Sequence, residues 1–306
     1  MLKYTLKRFL SMLVTLFLVA TVTFFLIHAI PGQPFEITRE TPESVKVALY
    51  AKYGLDKPLL QQYFIYMKNL LHGDFGMSMK YKGQSVAGEV TSGMPVSAVI
   101  GFGGVLIGCL IGSVLGAIAA LKNKGVVDYV VIVLAILGVS VPNFVFGSLI
   151  QRVFAVQLKW FPIQGWKGAR YAVLPIMAAS FTNIAFYARM LRTSMLDVMG
   201  QDYIYTAQSK GLTQGEIVRR HMLRNSFLPL VTSLGPMCAG VLTGNFVIEK
   251  IFNVPGIGQS MILAIQNFDY TMILGLTIIF AFISIVCYFM VDIVYGIVDP
   301  RIRVAK

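Results

Sequence analysis

Charged side chains are scarce in this sequence. Of 306 residues, 14 are Asp or Glu and 26 are Lys or Arg, 13% in all, where soluble domains carry about a quarter. A chain that is 56% hydrophobic, with mean hydropathy +0.71, has lipid rather than water as its solvent. Cysteine is nearly missing. Cys109, Cys238 and Cys287 stand singly in apolar runs, which supports neither a disulfide framework nor a metal site. The histidines, His28, His72 and His221, are scattered, and no H-E-x-x-H, G-x-S-x-G or carboxylate pair lies inside an apolar run, so hydrolase chemistry has no carrier. G-x-x-x-x-G-K-[ST] does not occur, so nothing here can cradle the phosphates of ATP. The excess positive charge, +12 with pI ≈ 9.6, forms no basic stripe with interleaved aromatics, and no nucleic-acid partner is expected.

What the sequence does have is long apolar runs, at roughly 9–30, 96–121, 128–157, 171–196, 226–248 and 271–297. Each has about the 20 residues or more that cross a bilayer core. Only helices or closed barrels satisfy every backbone group in hydrocarbon. The runs are continuous and not alternating, which excludes a barrel. The expected fold is therefore all-α, a polytopic membrane protein with six transmembrane helices. Lys3, Lys7 and Arg8 precede the first run as in a secretory signal, but Phe9–Ile30 is longer than a signal's apolar core and "IHAIPGQPF" offers no small-residue cleavage site. A retained span is the expectation.

Basic residues are distributed unevenly about these runs. Lys3/Lys7/Arg8, Lys122/Lys124, Arg219/Arg220/Arg224 and Arg301/Arg303/Lys306 fall on one side of a six-span arrangement. The short loops opposite hold Lys159, Lys167, Arg170 and Lys250. That bias places both termini in the cytoplasm. The chain then divides into a first span (1–30), an extracellular helical loop (31–95), a core of five spans (96–297) with a polar cytoplasmic loop at 197–225, and a tail (298–306). Within 31–95, "TPESVKVALYAKYG" offers Thr41 as N-cap, Pro42 at the first helical position and Gly54 at the stop. A second helix follows "LDKP", with Leu59, Leu60, Tyr63, Phe64, Met67, Leu70 and Leu71 at helical spacing up to Gly73. This external cap is either a lid packed on the spans or a docking surface.

The spans carry their own punctuation. Gly104, Gly108, Gly112 and Gly116 form an i, i+4 ladder in the second, built for close approach of another helix of this chain or of another subunit. Pro142 breaks the third and predicts a kink. Asn143 beside it and Asn183 in the fourth place amides at membrane depth, where they line a transport pathway or bond a neighbouring helix. Arg189 and Arg192, at the cytoplasmic end of the fourth, read as snorkelling anchors. Pro229, Gly235-Pro236, Gly240 and Gly244 punctuate the fifth. Asp292, near the inner end of the sixth, is expected to pair with a nearby arginine or a helix end.

The oddest stretch is "YTAQSKGLTQGEIVRRH", 205–221, polar in an apolar chain. Asp202 is placed to cap a helix through Tyr203–Lys210. Gly211 then falls where a helix ends in the left-handed conformation, with Leu212 as the accompanying apolar residue. Thr213 and Glu216 make a T-x-x-E capping box that starts the next helix at once. That helix carries Arg219 and Arg220, with Arg224 a turn on. Two short helices at a fixed angle form a rigid elbow. A lipid-surface helix has no use for a fixed bend, so the elbow suits a groove in a soluble partner.

"TAQSKG", 206–211, followed after nine residues by His221, resembles the cytoplasmic EAA loop of ABC-importer permeases. That pattern runs Glu-Ala-Ala, three residues, Gly, nine residues, then Ile-x-Leu-Pro. Ala207, Gly211 and Leu223 keep it; Tyr205 and Thr206 replace Glu and the first Ala, His221 replaces Ile, and Arg224 replaces Pro. These departures are similar to those of the peptide/nickel branch, whose loops read like "TARAKGL…RH". The likeness extends over nearly the whole chain through "HAIPGQPF", "YGLDKPLLQQY", "GDFGMS", "VPNF", "VIEKIFNVPGIGQ" and "DIVYGIVDPRIR", and is nearest to oligopeptide-permease B-type subunits. The resemblance implies a type I ABC-importer permease fold in a bacterial inner membrane. It implies a homologous second permease subunit, two cytoplasmic ATPase subunits and an extracellular or periplasmic peptide-binding protein. Tyr205, Thr206, Ala207, Lys210, Gly211, Leu212, Thr213, Glu216, Arg219 and Arg220 would couple to the ATPase. The partner subunits would bind ATP and Mg, and this chain no cofactor or metal. Pro142, Asn143 and Asn183 would border the pathway. The implied cargo is oligopeptides, with dipeptides, nickel or glutathione as alternatives. An ion-coupled secondary transporter would need several ionisable groups within its spans, and Asp292 is thin support.

Overall fold

The computed structural model describes residues 2–29, 47, 50, 51, 54–242 and 244–298. Among them the chain is helical and holds no β-strand, a single antiparallel bridge between Met77 and Ser85 aside. The helices are α1 (Leu2–Ala29), α2 (Leu59–Leu71), α3 (Val86–Leu121), α4 (Val126–Ser140), α5 (Asn143–Ile150), α6 (Ala169–Met199), α7 (Asp202–Ser209), α8 (Gln214–Ile217), α9 (Leu223–Ser226), α10 (Leu228–Leu242), α11 (Phe246–Ile251), α12 (Ile257–Gln266) and α13 (Tyr270–Val298). π-helical stretches continue α5 through Gln151–Gln157 and join α8 to α9 through Val218–Met222.

Four of these helices, α1, α3, α6 and α13, are long and apolar enough to cross a membrane, and the α4–α5 pair makes a fifth crossing if taken as one span. Its two halves meet at 101°, far more than an ordinary proline kink. Val141 is extended and Pro142 stands as the N-cap of α5 at φ −59°, ψ 139°, so the helix stops and restarts. The expected run 226–248 contains α10, a 15-residue helix with Pro236 inside it. The helix expected over 41–54 lies mostly outside the described residues, as does the tail; α2 forms as expected.

The helix that carries the second apolar run extends ten residues ahead of the expected start at 96, into the segment read as loop. α3 begins at Val86, where Ser85 Oγ accepts the Gly88 N–H at 3.0 Å as a helix cap. Its 36 residues reach about 54 Å, well past a hydrocarbon core of about 30 Å. The polar residues that gave 86–95 the look of a loop are provided for. Thr91 and Ser92 hydroxyls donate to the Gly88 carbonyl, and Glu89 Oε1 accepts from Ser260 Oγ at 2.5 Å.

Two compact units emerge. The first comprises 1–96, 242–246 and 255–306, the second 97–241 and 247–254; the described part of the 31–95 segment thus groups with the first and last spans. In the first unit α1 lies along α13, with Phe24, Ile27, Tyr270 and Leu274 buried together. A second cluster joins Val86 and Val90 to Ile257, Leu276 and Phe280. Buried Asp269 ties the 74–79 segment to the start of α13. It accepts from Ser78 Oγ at 2.5 Å and Met79 N–H at 3.1 Å, and caps α13 through Met272 N–H at 3.2 Å.

In the second unit the glycine ladder finds its partner, and it is α6. A Cβ on Gly104, Gly108, Gly112 or Gly116 would stand 2.7 Å from Ala179 Cβ, 2.3 Å from Asn183 Cβ, 2.6 Å from Ile184 O and 2.4 Å from Ala188 O. Both series rise together, so α3 and α6 run parallel. The chain between them must therefore return, and its contacts trace the return. Asp128 meets Arg192, Gly138 faces Ala185, Asn143 meets Thr182, Phe146 stacks on Phe181, and Gly147 faces Ala178. From Asp128 to Gly147 the broken pair meets α6 in reverse order, Arg192 to Ala178, despite its bend.

Candidate functional site

The elbow is built by local chemistry. Gln201, extended at φ −87°, ψ 145°, is the N-cap of α7 and makes no side-chain cap bond. Asp202 therefore stands one position further in than expected, in the first turn, where a carboxylate complements the helix dipole. The other end closes as the sequence predicts. Gly211 sits at φ +78°, its N–H bonds Gln208 O at 2.9 Å, and Leu212 N–H bonds Ala207 O at 3.3 Å. This pair of bonds is the Schellman closure.

The next helix starts two residues later. Thr213 Oγ1 accepts the Glu216 N–H, and Glu216 Oε2 accepts the Thr213 N–H at 3.1 Å, completing the capping box. That N–H, with the Thr213 hydroxyl and the Arg220 and Arg219 charges, holds the Glu216 carboxyl below its ordinary value. A further tie crosses the bend. Asn225 Nδ2 donates to the Tyr203 hydroxyl at 3.3 Å and to His221 O at 2.8 Å.

The elbow has two faces. Ile204, Ala207, Ile217 and Met222 are buried with Ala120 of α3, Tyr187, Leu191 and Met195 of α6, and Leu230 of α10, and Leu212 packs against that cluster. Ala207 and Leu212, two of the residues expected at the coupling surface, are thus part of the elbow's own foundation. Tyr205, Thr206, Lys210, Gly211, Thr213, Arg219 and Arg220 are exposed, and Glu216 is half-buried. The π-helical stretch widens the backbone by a residue in its turn. There Arg219, Arg220, His221, Arg224 and Asn225 line an open cavity of ≈ 610 Å³. The exposed face is cationic, tyrosine-bearing and rigidly set.

The pathway candidates lie elsewhere and do not join the elbow. Pro142 is exposed at the break; Asn143 Oδ1 accepts from Thr182 Oγ1 of α6. Asn183 Nδ2 donates to Ala179 O at 3.1 Å on its own helix, with its Cβ facing Gly108. Each amide therefore has a partner within the helix packing. Arg192, expected as a snorkelling anchor, instead forms an ion pair with buried Asp128, whose other ties include the Lys124 N–H at 2.9 Å. Arg189 is exposed. The Asp292 side chain lies outside the described residues. Among the described residues no group of three or more His, Cys, Asp or Glu is arranged to hold a metal ion.

Comparison with known proteins extends this picture over the whole chain. Residues 112–304 match the family model of the binding-protein-dependent transport system inner membrane component, and residues 1–87 match its N-terminal companion. The chain is 44% identical over 306 residues to the dipeptide transport system permease protein DppB of Bacillus subtilis, covering 100% of this chain and 99% of that one. It is 42% identical over 305 residues to the oligopeptide transport system permease protein OppB of Escherichia coli, covering 99% and 100%. The corresponding protein of Haemophilus influenzae is 41% identical over 305 residues, again covering 99% and 100%. With matches of this length and identity, the chain belongs to the family of inner membrane components of binding-protein-dependent transport systems.

Proposed function

We propose that this chain is the membrane-spanning permease subunit of an ATP-driven ABC importer and forms half of the translocation pathway for oligopeptides. The observation that carries the mechanism is the elbow. It is capped at both joints, cross-tied by Asn225, and seated on α3, α6 and α10. Force applied to its exposed face reaches the spans through a packed core and not through a flexible loop. Coupling of this kind needs rigid elements that move between discrete arrangements, and the doubly capped elbow supports the reading as such a rigid element. Its cationic and tyrosine-bearing face, from Tyr205 to Arg220, fits a cleft in a cytoplasmic ATPase subunit.

The partners follow from that reading. Two ATPase subunits hold ATP and Mg and supply hydrolysis. A homologous permease completes the pathway, which Pro142, Asn143 and Asn183 border, and an extracellular or periplasmic binding protein delivers the peptide. Basic residues at Lys3, Lys7, Arg8, Lys122 and Lys124 favour cytoplasmic termini in a bacterial inner membrane. Dipeptides are the second reading for the cargo, because relatives of comparable identity are named for dipeptide transport. Purification of the tagged chain from its native membrane tests the assembly: ATPase subunits should co-purify, and their absence would remove the ABC reading. Uptake competition between labelled dipeptide and longer peptides, with the cognate binding protein present, decides the cargo.

A further inference from the structure

α2 is a helix without a core of its own. Nine of its 13 residues are apolar or aromatic, yet none is buried. Leu60, Phe64 and Leu71 are 63%, 67% and 84% exposed, and the spacing i, i+4, i+11 puts them on one face. Two tyrosines hold the helix to α1. The Tyr63 hydroxyl and Thr21 Oγ1 lie 2.8 Å apart in a hydrogen bond, and the Tyr63 ring stacks on Phe25 at 5.3 Å. The Tyr66 ring stacks on Phe24 at 5.5 Å.

The depth of those contacts decides what surrounds α2. Lys7 and Arg8 keep the first end of α1 at the headgroups, and about 20 residues, or about 30 Å, of hydrocarbon follow. That reaches to about Ala29, the end of the helix. Thr21 lies eight residues short of that end, about 12 Å along the axis. A helix resting on Thr21, Phe24 and Phe25 cannot stand clear of the bilayer. The exposed apolar surface of α1, which includes Val22, Phe25 and Leu26, continues through Tyr63 onto Phe64, whose rings are 5.6 Å apart.

We propose that α2 lies within the membrane, in the leaflet at the Ala29 end of α1, with Leu60, Phe64 and Leu71 turned to the acyl chains. Exposed Lys68 then reaches its ammonium back to the headgroups, as in helices that lie in the interfacial plane. The cap is thereby an anchor for the segment that follows it and not a free docking helix.

The test uses the full chain, with whatever subunits co-purify, in vesicles of phosphatidylethanolamine and phosphatidylglycerol. Nitroxide labels are placed on Leu60→Cys and Phe64→Cys after Cys109, Cys238 and Cys287 are replaced by alanine. Leu18→Cys serves as the mid-span reference and Lys82→Cys as the aqueous one. Labels at 60 and 64 should collide with dissolved oxygen as the Leu18 label does, and several-fold less than the Lys82 label with a water-soluble nickel chelate. Chelate collision at the Lys82 level would put the helix in water and overturn the proposal. Low collision with both reagents would mean that a protein partner covers the face, which overturns it equally. Both substituted side chains are exposed, so they remove little packing, and recovery in the vesicle fraction verifies insertion.

Discussion

Arg192 grips Asp128 with two parallel hydrogen bonds, Nε to Oδ1 at 2.5 Å and Nη2 to Oδ2 at 2.7 Å. The carboxylate is 1% exposed and caps the turn at Lys124 as well, so α4 enters its crossing pinned to α6. Removing one partner leaves a buried charge alone, at a cost of about 3–5 kcal/mol, while replacing both with apolar groups can be nearly neutral. Arg192→Met should therefore lower the thermal midpoint in detergent more than the double variant Asp128→Leu/Arg192→Met. Equal losses would mean that the pair's charge is not what matters.

Gly211→Val isolates backbone strain. A Cβ at Gly211 would meet nothing within 4 Å, but φ is +78°. Forcing a β-branched residue there costs about 1–3 kcal/mol and re-aims α8. Peptide uptake should fall while membrane insertion is retained. Normal uptake with normal ATPase pull-down would show that the elbow is not the coupling element.

The capping box makes a pH prediction. Because the Glu216 carboxyl is held below its ordinary value of 4.5, its stabilising contribution is fully present above that value. It is lost as pH falls through the lower folded value, where the carboxylate takes up a proton. The thermal midpoint of the Glu216→Gln variant should trail the parent at pH 7. The gap should narrow as the pH is taken below 4.5. A gap that widens on acidification would contradict the assignment.

Gly108→Ala should be poorly tolerated, because the new methyl would sit 2.3 Å from Asn183 Cβ. Overpacking of this kind costs typically about 1–3 kcal/mol. Gly215→Ala is the matched control: nothing lies within 4 Å of a Cβ there, and alanine favours the helix. Thermal scanning of the two purified variants should separate them in opposite directions.

Asn143 separates packing from transport. Losing its bond to Thr182 should cost about 1 kcal/mol, so Asn143→Leu and Thr182→Val should destabilise modestly and non-additively in a double-mutant cycle. On the proposed pathway, Asn143→Cys should also react with a polar thiol reagent in one nucleotide state and not in the other. A cysteine inert in both the nucleotide-free and ATP-trapped complexes would take Asn143 off the pathway.

Local chemistry was legible in the sequence, and partnership at a distance was not. The Schellman closure at Gly211 and the Thr213/Glu216 box each span six residues or fewer, so residue type alone betrays them. The glycine ladder announced close packing, but nothing in its spacing says that Ala179, Asn183 and Ala188 lie opposite. Asp128 and Arg192 are 64 residues apart, and each reads as an ordinary charge near a span end. Pro142 gave the break but not its angle, which depends on how α5 repacks against α6 through Phe146 and Phe181. The ten residues before 96 hid a helix because Glu89, Thr91 and Ser92 look like loop until Ser260 and the Gly88 carbonyl are seen beside them.

From Gln214 to Val241 the backbone is helical except at Phe227. The second arm of the elbow and α10 are therefore joined by helical backbone with one interruption. Ile217, Met222 and Leu230 all sit in one buried cluster with Tyr187, Leu191 and Met195 of α6, so the seat of the elbow continues into the start of α10. Displacing the elbow would carry the start of α10 with it, with Phe227, the π-helical turn and Pro236 as the places where the backbone can flex.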